Sequence, residues 1–160
     1  MKIFLTIIKT YISVIFLLKM TACNFGPGSY SYAETYELNY SEEKTKKAIN
    51  DFKQENPDFL VPKTTIKNQG SYDLVDEPIK EPSYWYCFYF YYKNENKIIL
   101  TLTRSVSKDK SLIAFVSINE GLDLGHWKDI NKNFSSSQDD KEKRKFEERI
   151  LNKIKEKLNQ

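Results

Sequence analysis

Two cysteines and one histidine are the residues of this chain best suited to nucleophilic or metal chemistry. His126 stands in Gly125-His126-Trp127, with Asp123 and Asp129 nearby in sequence. A histidine oriented by a carboxylate acts as a general base, and Cys87 would be the nucleophile for it to activate. Cys87, however, lies inside Tyr84-Trp85-Tyr86-Cys87-Phe88-Tyr89-Phe90, an intensely apolar strand, and reads as a buried thiol behaving as a small hydrophobe. His126 falls in a loop after the sheet, so nothing in the spacing joins the two. One histidine without a usable cysteine pair excludes a nitrogen–sulfur zinc site. The five glycines, at positions 26, 28, 70, 121 and 125, form no phosphate-cradling loop. Carboxylates are numerous but show no glycosidase-like pairing. The reading is therefore no catalytic residue, no metal and no cofactor.

Aromatic residues are the stronger clue. Rows of Tyr and Trp stack on sugars, bases or partner proteins, and Tyr84, Tyr86 and Trp127 are the candidate ligand surface. The competing reading is a covered sheet centre, because aromatics occupy both faces of residues 83–92. Lys far outnumbers Arg, and Asn, Ile, Tyr and Phe are abundant; all have AT-rich codons, so genome composition alone raises the aromatic content. Both readings stand at this point.

The elements that must position these residues follow from periodicity. Residues 30–40 alternate as a half-buried strand, with Tyr30, Tyr32, Tyr36, Leu38 and Tyr40 at even positions. Ser41 offers an N-cap, Glu42 and Glu43 suit a first helical turn, and Thr45, Ala48, Ile49 and Phe52 recur at helical spacing. That helix runs to about Glu55, and Pro57 stops it. Prolines 57, 62, 78 and 82 mark residues 56–83 as irregular, around one short strand near residues 72–75. Residues 83–92, 98–104 and 112–119 form a three-stranded meander with polar turns at 93–97 and 105–111. Residues 121–127 break the sheet pattern. A C-terminal helix over about 139–158, capped from residues 135–140, carries a narrow stripe of Phe146, Ile150, Leu151, Ile154 and Leu158 and is expected to cover the sheet. The fold class is α+β: an antiparallel sheet of four to five strands, a short helix after the first strand and a longer C-terminal helix packed on one face.

Charge localises the remaining information. The chain has 160 residues, suited to one domain, with 25 basic against 22 acidic side chains. Lys2, Lys9 and Lys19 account for the whole excess, so the rest is formally neutral and nucleic acid is disfavoured as a partner. Those lysines flank and punctuate an apolar run over residues 3–18, the pattern of an export signal and too short in its uninterrupted part to span a bilayer. The run ends in Met20-Thr21-Ala22-Cys23, with Met20 where Leu is usual. This resembles the lipobox of bacterial lipoproteins. The resemblance covers only the first 25 or so residues. It implies cleavage before Cys23, acylation of the Cys23 sulfur and attachment to a membrane on its non-cytoplasmic side. An ordinary cleaved signal and an uncleaved anchor are the other readings of the segment. A Cys23–Cys87 disulfide is the alternative in a simply secreted protein.

The resulting organisation is a signal peptide at 1–22, a lipidated tether rich in turn formers at 23–29 and a single domain at 30–160. The expected role is a non-enzymatic binding module of the cell envelope, held to the membrane through its lipid anchor, with a protein or cell-wall component as partner. Two other classes fit the same features: an immunity- or inhibitor-type lipoprotein that neutralises an envelope-active enzyme, and a hydrolase with a carboxylate site.

Overall fold

The protein is described here from a computed structural model that covers residues 30–67, 69–79 and 84–160. The signal-peptide, Cys23 and tether readings lie outside the described residues. In chain order the elements are β1 (Glu34–Leu38), α1 (Glu42–Glu55), β2 (Thr64–Ile66), β3 (Gly70–Tyr72), β4 (Glu77–Pro78), β5 (Tyr86–Tyr92), β6 (Lys97–Ser107), β7 (Lys110–Glu120), β8 (Asp123–Leu124), β9 (Trp127–Asp129), α2 (Ser136–Phe146) and α3 (Asn152–Leu158). A π-helical turn, Glu147–Leu151, joins α2 to α3 without a break in helical backbone.

The alternation in β5, β6 and β7 dictates a meander, and the register confirms it: Phe90 pairs with Ile99, and Ile99 with Ile118. The sheet order is β1-β7-β6-β5-β4, and β9 also pairs with β7. The architecture is thus α+β, with an antiparallel sheet and a C-terminal helix packed against it. The main sheet has six strands because two short pieces, β4 and β9, extend it. A second, small sheet has the order β3-β2-β8, with β2 and β8 parallel.

Three local expectations need correction. Residues 121–127 do not simply leave the sheet; they include β8 and lead into β9, which returns to β7. The hand-over is made by a bulge, since Leu100 pairs with Ser117 but Thr101 with Phe115, which leaves Val116 as the extra residue. β1 ends its pairing at Phe115, β9 begins at Ser117, and the Val116 carbonyl accepts from the Ile130 N–H. The short strand lies at Gly70–Tyr72 rather than 72–75, because residues 73–76 instead carry Asp76 to the edge of β5. Residues 105–111 are mostly strand: β6 and β7 extend into a projecting hairpin, polar because solvent surrounds it.

One face of the sheet holds the main core. Ser41 Oγ accepts from the Lys44 N–H, starting α1, and Thr45, Ala48, Ile49 and Phe52 turn inward. Ser135 and Gln138 form a capping box that starts α2 earlier than the charge pattern suggested. Phe146 stacks on Phe115 with ring centroids 4.7 Å apart. Phe88, Phe90, Phe115 and Phe146 are fully buried, each contributing about 1.5–3 kcal/mol of hydrophobic stabilisation. The π turn carries one residue more than an α turn, and both Ile150 and Leu151 are buried in the core beside it.

An ion network pins the β5–β6 turn to α2. Lys145 Nζ donates to Glu95 Oε2 at 2.5 Å and to Glu142 Oε1 at 3.0 Å, while Arg149 donates to Glu95 Oε1 at 2.7 Å. Lys97 donates to the same Glu142 oxygen at 2.9 Å. Partial burial alone would raise the Glu95 pKa, but the bonds from Lys145 and Arg149 outweigh it and hold the carboxyl at about 2. Its folded value lies below the ordinary 4.5, so its stabilisation is complete above that pH and disappears as pH falls towards 2. Glu95→Gln is expected to flatten the stability loss between those pH values. Urea titrations across that range check it, and an unchanged slope would refute the assignment.

Candidate functional site

The opposite face of the meander is also apolar, yet among the described residues no helix lies on it. Its rows follow from the register: Cys87 beside Leu102 and Ala114, Tyr89 beside Leu100 and Ser117, and Tyr91 beside Ile98, Asn119 and Trp127. A side chain that alternates away from the helices has to be covered by something else. Here the cover is irregular chain: Ile66 and Leu74 from the 60–79 arm, Pro78 and Ile79 around β4, Leu124 and Trp127 from β8 and β9, and Tyr30. Among the described residues this coverage is incomplete. Two cavities of about 460 and 560 Å³ open on this face and share Tyr89 and Leu100 in their walls, so together they make one trough.

Two polar residues, the half-buried Asp76 and the buried Asn119, set the walls. Asp76 Oδ1 accepts the Tyr89 N–H at 2.9 Å, and its other oxygen pairs with Lys53 of α1. Lys53 also donates to the Tyr89 carbonyl at 2.9 Å, and the Tyr86 hydroxyl donates to the Asp76 carbonyl at 3.1 Å. The backbone of β5 at Tyr89 is thereby satisfied by side chains just past the end of β4, and the arm is hooked to the sheet edge. Asn119, fully buried, organises the other wall. It donates to the Gly121 and Asp123 carbonyls and accepts the His126 N–H at 2.8 Å.

The electrostatics of the trough are quiet. Burial pushes the Cys87 thiol up to about 11, against a weaker opposing effect of its hydrogen bond with Tyr89. Burial, then the contact with Cys87, raises the Tyr89 phenol well above its ordinary value. Burial also raises Tyr30. These groups stay protonated at neutral pH, and Glu77 is the one carboxylate among the described lining residues of the two cavities. Leu100, Leu102, Leu124, Ile66 and Leu74 offer apolar contact. Tyr89 and Trp127, with ring centroids 6.4 Å apart, offer two inclined aromatic surfaces. Such a lining suits an apolar or aromatic group held by burial and stacking.

The sequence candidates are separated by the fold. Trp127 lies in the trough. Tyr86 faces the helices, half-buried, with Lys46 over its ring and Phe88 beside it. Tyr84 is 89% exposed at the start of β5. Cys87 lines the trough, whereas His126 is exposed in the β8–β9 loop with Nε2 3.7 Å from Asp123 Oδ2. Leu100 and Tyr89 were legible as strand residues but not as a site, because alternation gives a face and not its cover. Asp76 and Asn119 carried no sequence signal at all. Among the described residues no group of three or more His, Cys, Asp or Glu is arranged to hold a metal ion. No family model matches the chain, and no curated protein or solved structure matches it.

Asp76→Ala is expected to cost about 3–5 kcal/mol, since it strands the Lys53 charge and the Tyr89 N–H. Replacing both partners together, Asp76 by Leu and Lys53 by Met, should cost less than Asp76→Ala alone; urea unfolding of the two variants beside the parent settles the order. The Cys87 thiol should resist iodoacetamide at pH 8 in the folded protein and react once urea unfolds it, because only about one in a thousand is thiolate at that pH. Rapid alkylation of the folded chain would contradict its burial.

Proposed function

We propose that the chain is an envelope lipoprotein whose domain binds its partner in the trough. Cys23 carries the acyl chains, residues 24–29 form the tether, and the domain works on the non-cytoplasmic side of the membrane as a non-enzymatic interaction module. The observation that carries the binding role is the partly open trough on the second face: Leu100, Tyr89 and Trp127 are only partly buried while the residues behind them on the helix side are sealed. A concave, mostly apolar trough with two aromatic rings in its wall supports a contact role. The low charge of the lining favours a partner that inserts an apolar or aromatic group, from a protein or a cell-wall component.

The anchor reading is supported by Met20-Thr21-Ala22-Cys23 after the basic, apolar start. Among the described residues no helix is long and apolar enough to cross a membrane. Two or more acyl chains hold a protein stably at a bilayer, where one gives only marginal binding.

Two measurements test this. Cys23→Ser should abolish acyl labelling and move the chain out of the membrane fraction; unchanged fractionation contradicts the anchor. Photo-crosslinking in intact envelopes from a probe placed at Leu124 should yield a discrete adduct that Trp127→Ala weakens at least severalfold. An adduct insensitive to that change, or none, would place the binding surface elsewhere.

A further inference from the structure

One end of the sheet exposes three large apolar or aromatic side chains, Tyr84, Val106 and Tyr30, amid the polar residues of the projecting hairpin. The last β5–β6 pair is Tyr86 with Thr103, so Tyr84 and the projecting β6–β7 hairpin lie beyond it at the same end. Tyr84 is 89% exposed and Val106, at the hairpin, is 48% exposed. Trp85 is adjacent, and Tyr30, 41% exposed, meets its ring edge-on at 6.3 Å. Arg104 lies over the other partner of that pair, 4.7 Å from the Trp85 ring centroid, and Lys108 is exposed at the hairpin tip. Among the described residues the acidic groups nearby are Asp109 at the tip, Glu37, which accepts from Lys110, Glu42, which accepts the Ser105 N–H, and Glu77 beside Tyr30.

We propose that this end of the sheet rests on the bilayer, with Tyr84, Val106 and Tyr30 in the boundary between headgroups and acyl chains. The inference rests on the Cys23 anchor reading and goes beyond it by giving the domain an orientation. Six residues, 24–29, separate Cys23 from Tyr30, a reach of at most about 25 Å over the seven steps even if fully extended. Tyr30 sits against Trp85, so the end that carries Tyr84 and Val106 is the part of the domain nearest the anchor. Tyr and Trp favour the membrane interface because the ring sits in the apolar zone while the polar edge stays wet. Arg104 and Lys108 suit lipid phosphates at that depth. The opposite end, with the turn at Lys93–Glu95 and the ion network, then points away from the membrane, and the Trp127 half of the trough stays open to an envelope partner.

The test uses the acylated chain in phosphatidylcholine vesicles containing phosphatidylglycerol. Nitroxide labels are placed at Tyr84→Cys, Val106→Cys and, as the distal control, Asn94→Cys; all three positions are exposed, and the parent with its buried Cys87 controls for stray labelling. Collision with oxygen, which concentrates in the bilayer, should exceed collision with an aqueous nickel chelate severalfold at 84 and 106 relative to 94. Equal ratios at all three positions overturn the orientation while acyl labelling, and its loss in Cys23→Ser, leave the anchor standing. Absence of both acyl label and vesicle binding overturns the orientation together with the anchor.

Discussion

A three-stranded meander with apolar residues on both faces needs two covers, and the described residues supply only one helical layer. The rest of the structure follows from that shortage. α1, α2, the π turn and α3 all lie on the face of Phe88, Phe90, Ile99, Phe115 and Ile118, and they seal it. The face of Cys87, Tyr89, Leu100 and Leu102 receives irregular chain from three directions instead. Loops carry polar backbone that needs partners, so they cannot pack as closely over apolar side chains as a helix does. The trough is what remains uncovered.

Irregular cover has to be fastened, and the fastenings are polar. The Asp76–Lys53 pair costs desolvation, which only further hydrogen bonds offset, and both groups make them with the Tyr89 backbone. In return the pair fixes the arm to the sheet edge and blocks a strand edge that would otherwise be open to pairing. Asn119 does the same for the β8–β9 wall through three backbone groups. The bulge at Val116 lets two short strands, β1 and β9, share one edge of β7, so that edge is closed over most of its length. The first two devices use side chains, and the third a backbone bulge, to finish hydrogen bonding that the short strands leave incomplete.

The long-period features were legible in the sequence because they rest on local chemistry. Ser41 with Glu42 and Glu43 marked α1, the stripe from Phe146 to Leu158 marked the C-terminal helix, and alternation assigned the two faces of β5 and β6 correctly. The small pieces were not legible. β8 and β9 have two and three residues, and their pairing depends on a bulge in a strand that looks regular. Tyr84, Tyr86 and Trp127 looked like one aromatic surface, but Tyr84 stands exposed before β5 begins, Tyr86 faces the helices and the return of β9 puts Trp127 in the trough. A sequence reports which side a residue faces; which side receives the helices is decided by connections far away in the chain.

The claim at the centre of this account is that the Tyr89, Leu100 and Trp127 part of the second face is a site, flanked by the small buried cluster of Trp85, Cys87, Leu102, Ala114 and Val116. Ile99 and Leu100 are neighbours on β6 and point to opposite faces, so they form a matched pair. Equilibrium urea unfolding of Ile99→Ala and Leu100→Ala compares the faces directly. The account predicts a loss of about 2–5 kcal/mol for Ile99→Ala and less than about 1 kcal/mol for Leu100→Ala. Equal losses would mean that both faces are core, and the trough would then be a packing defect without a binding role.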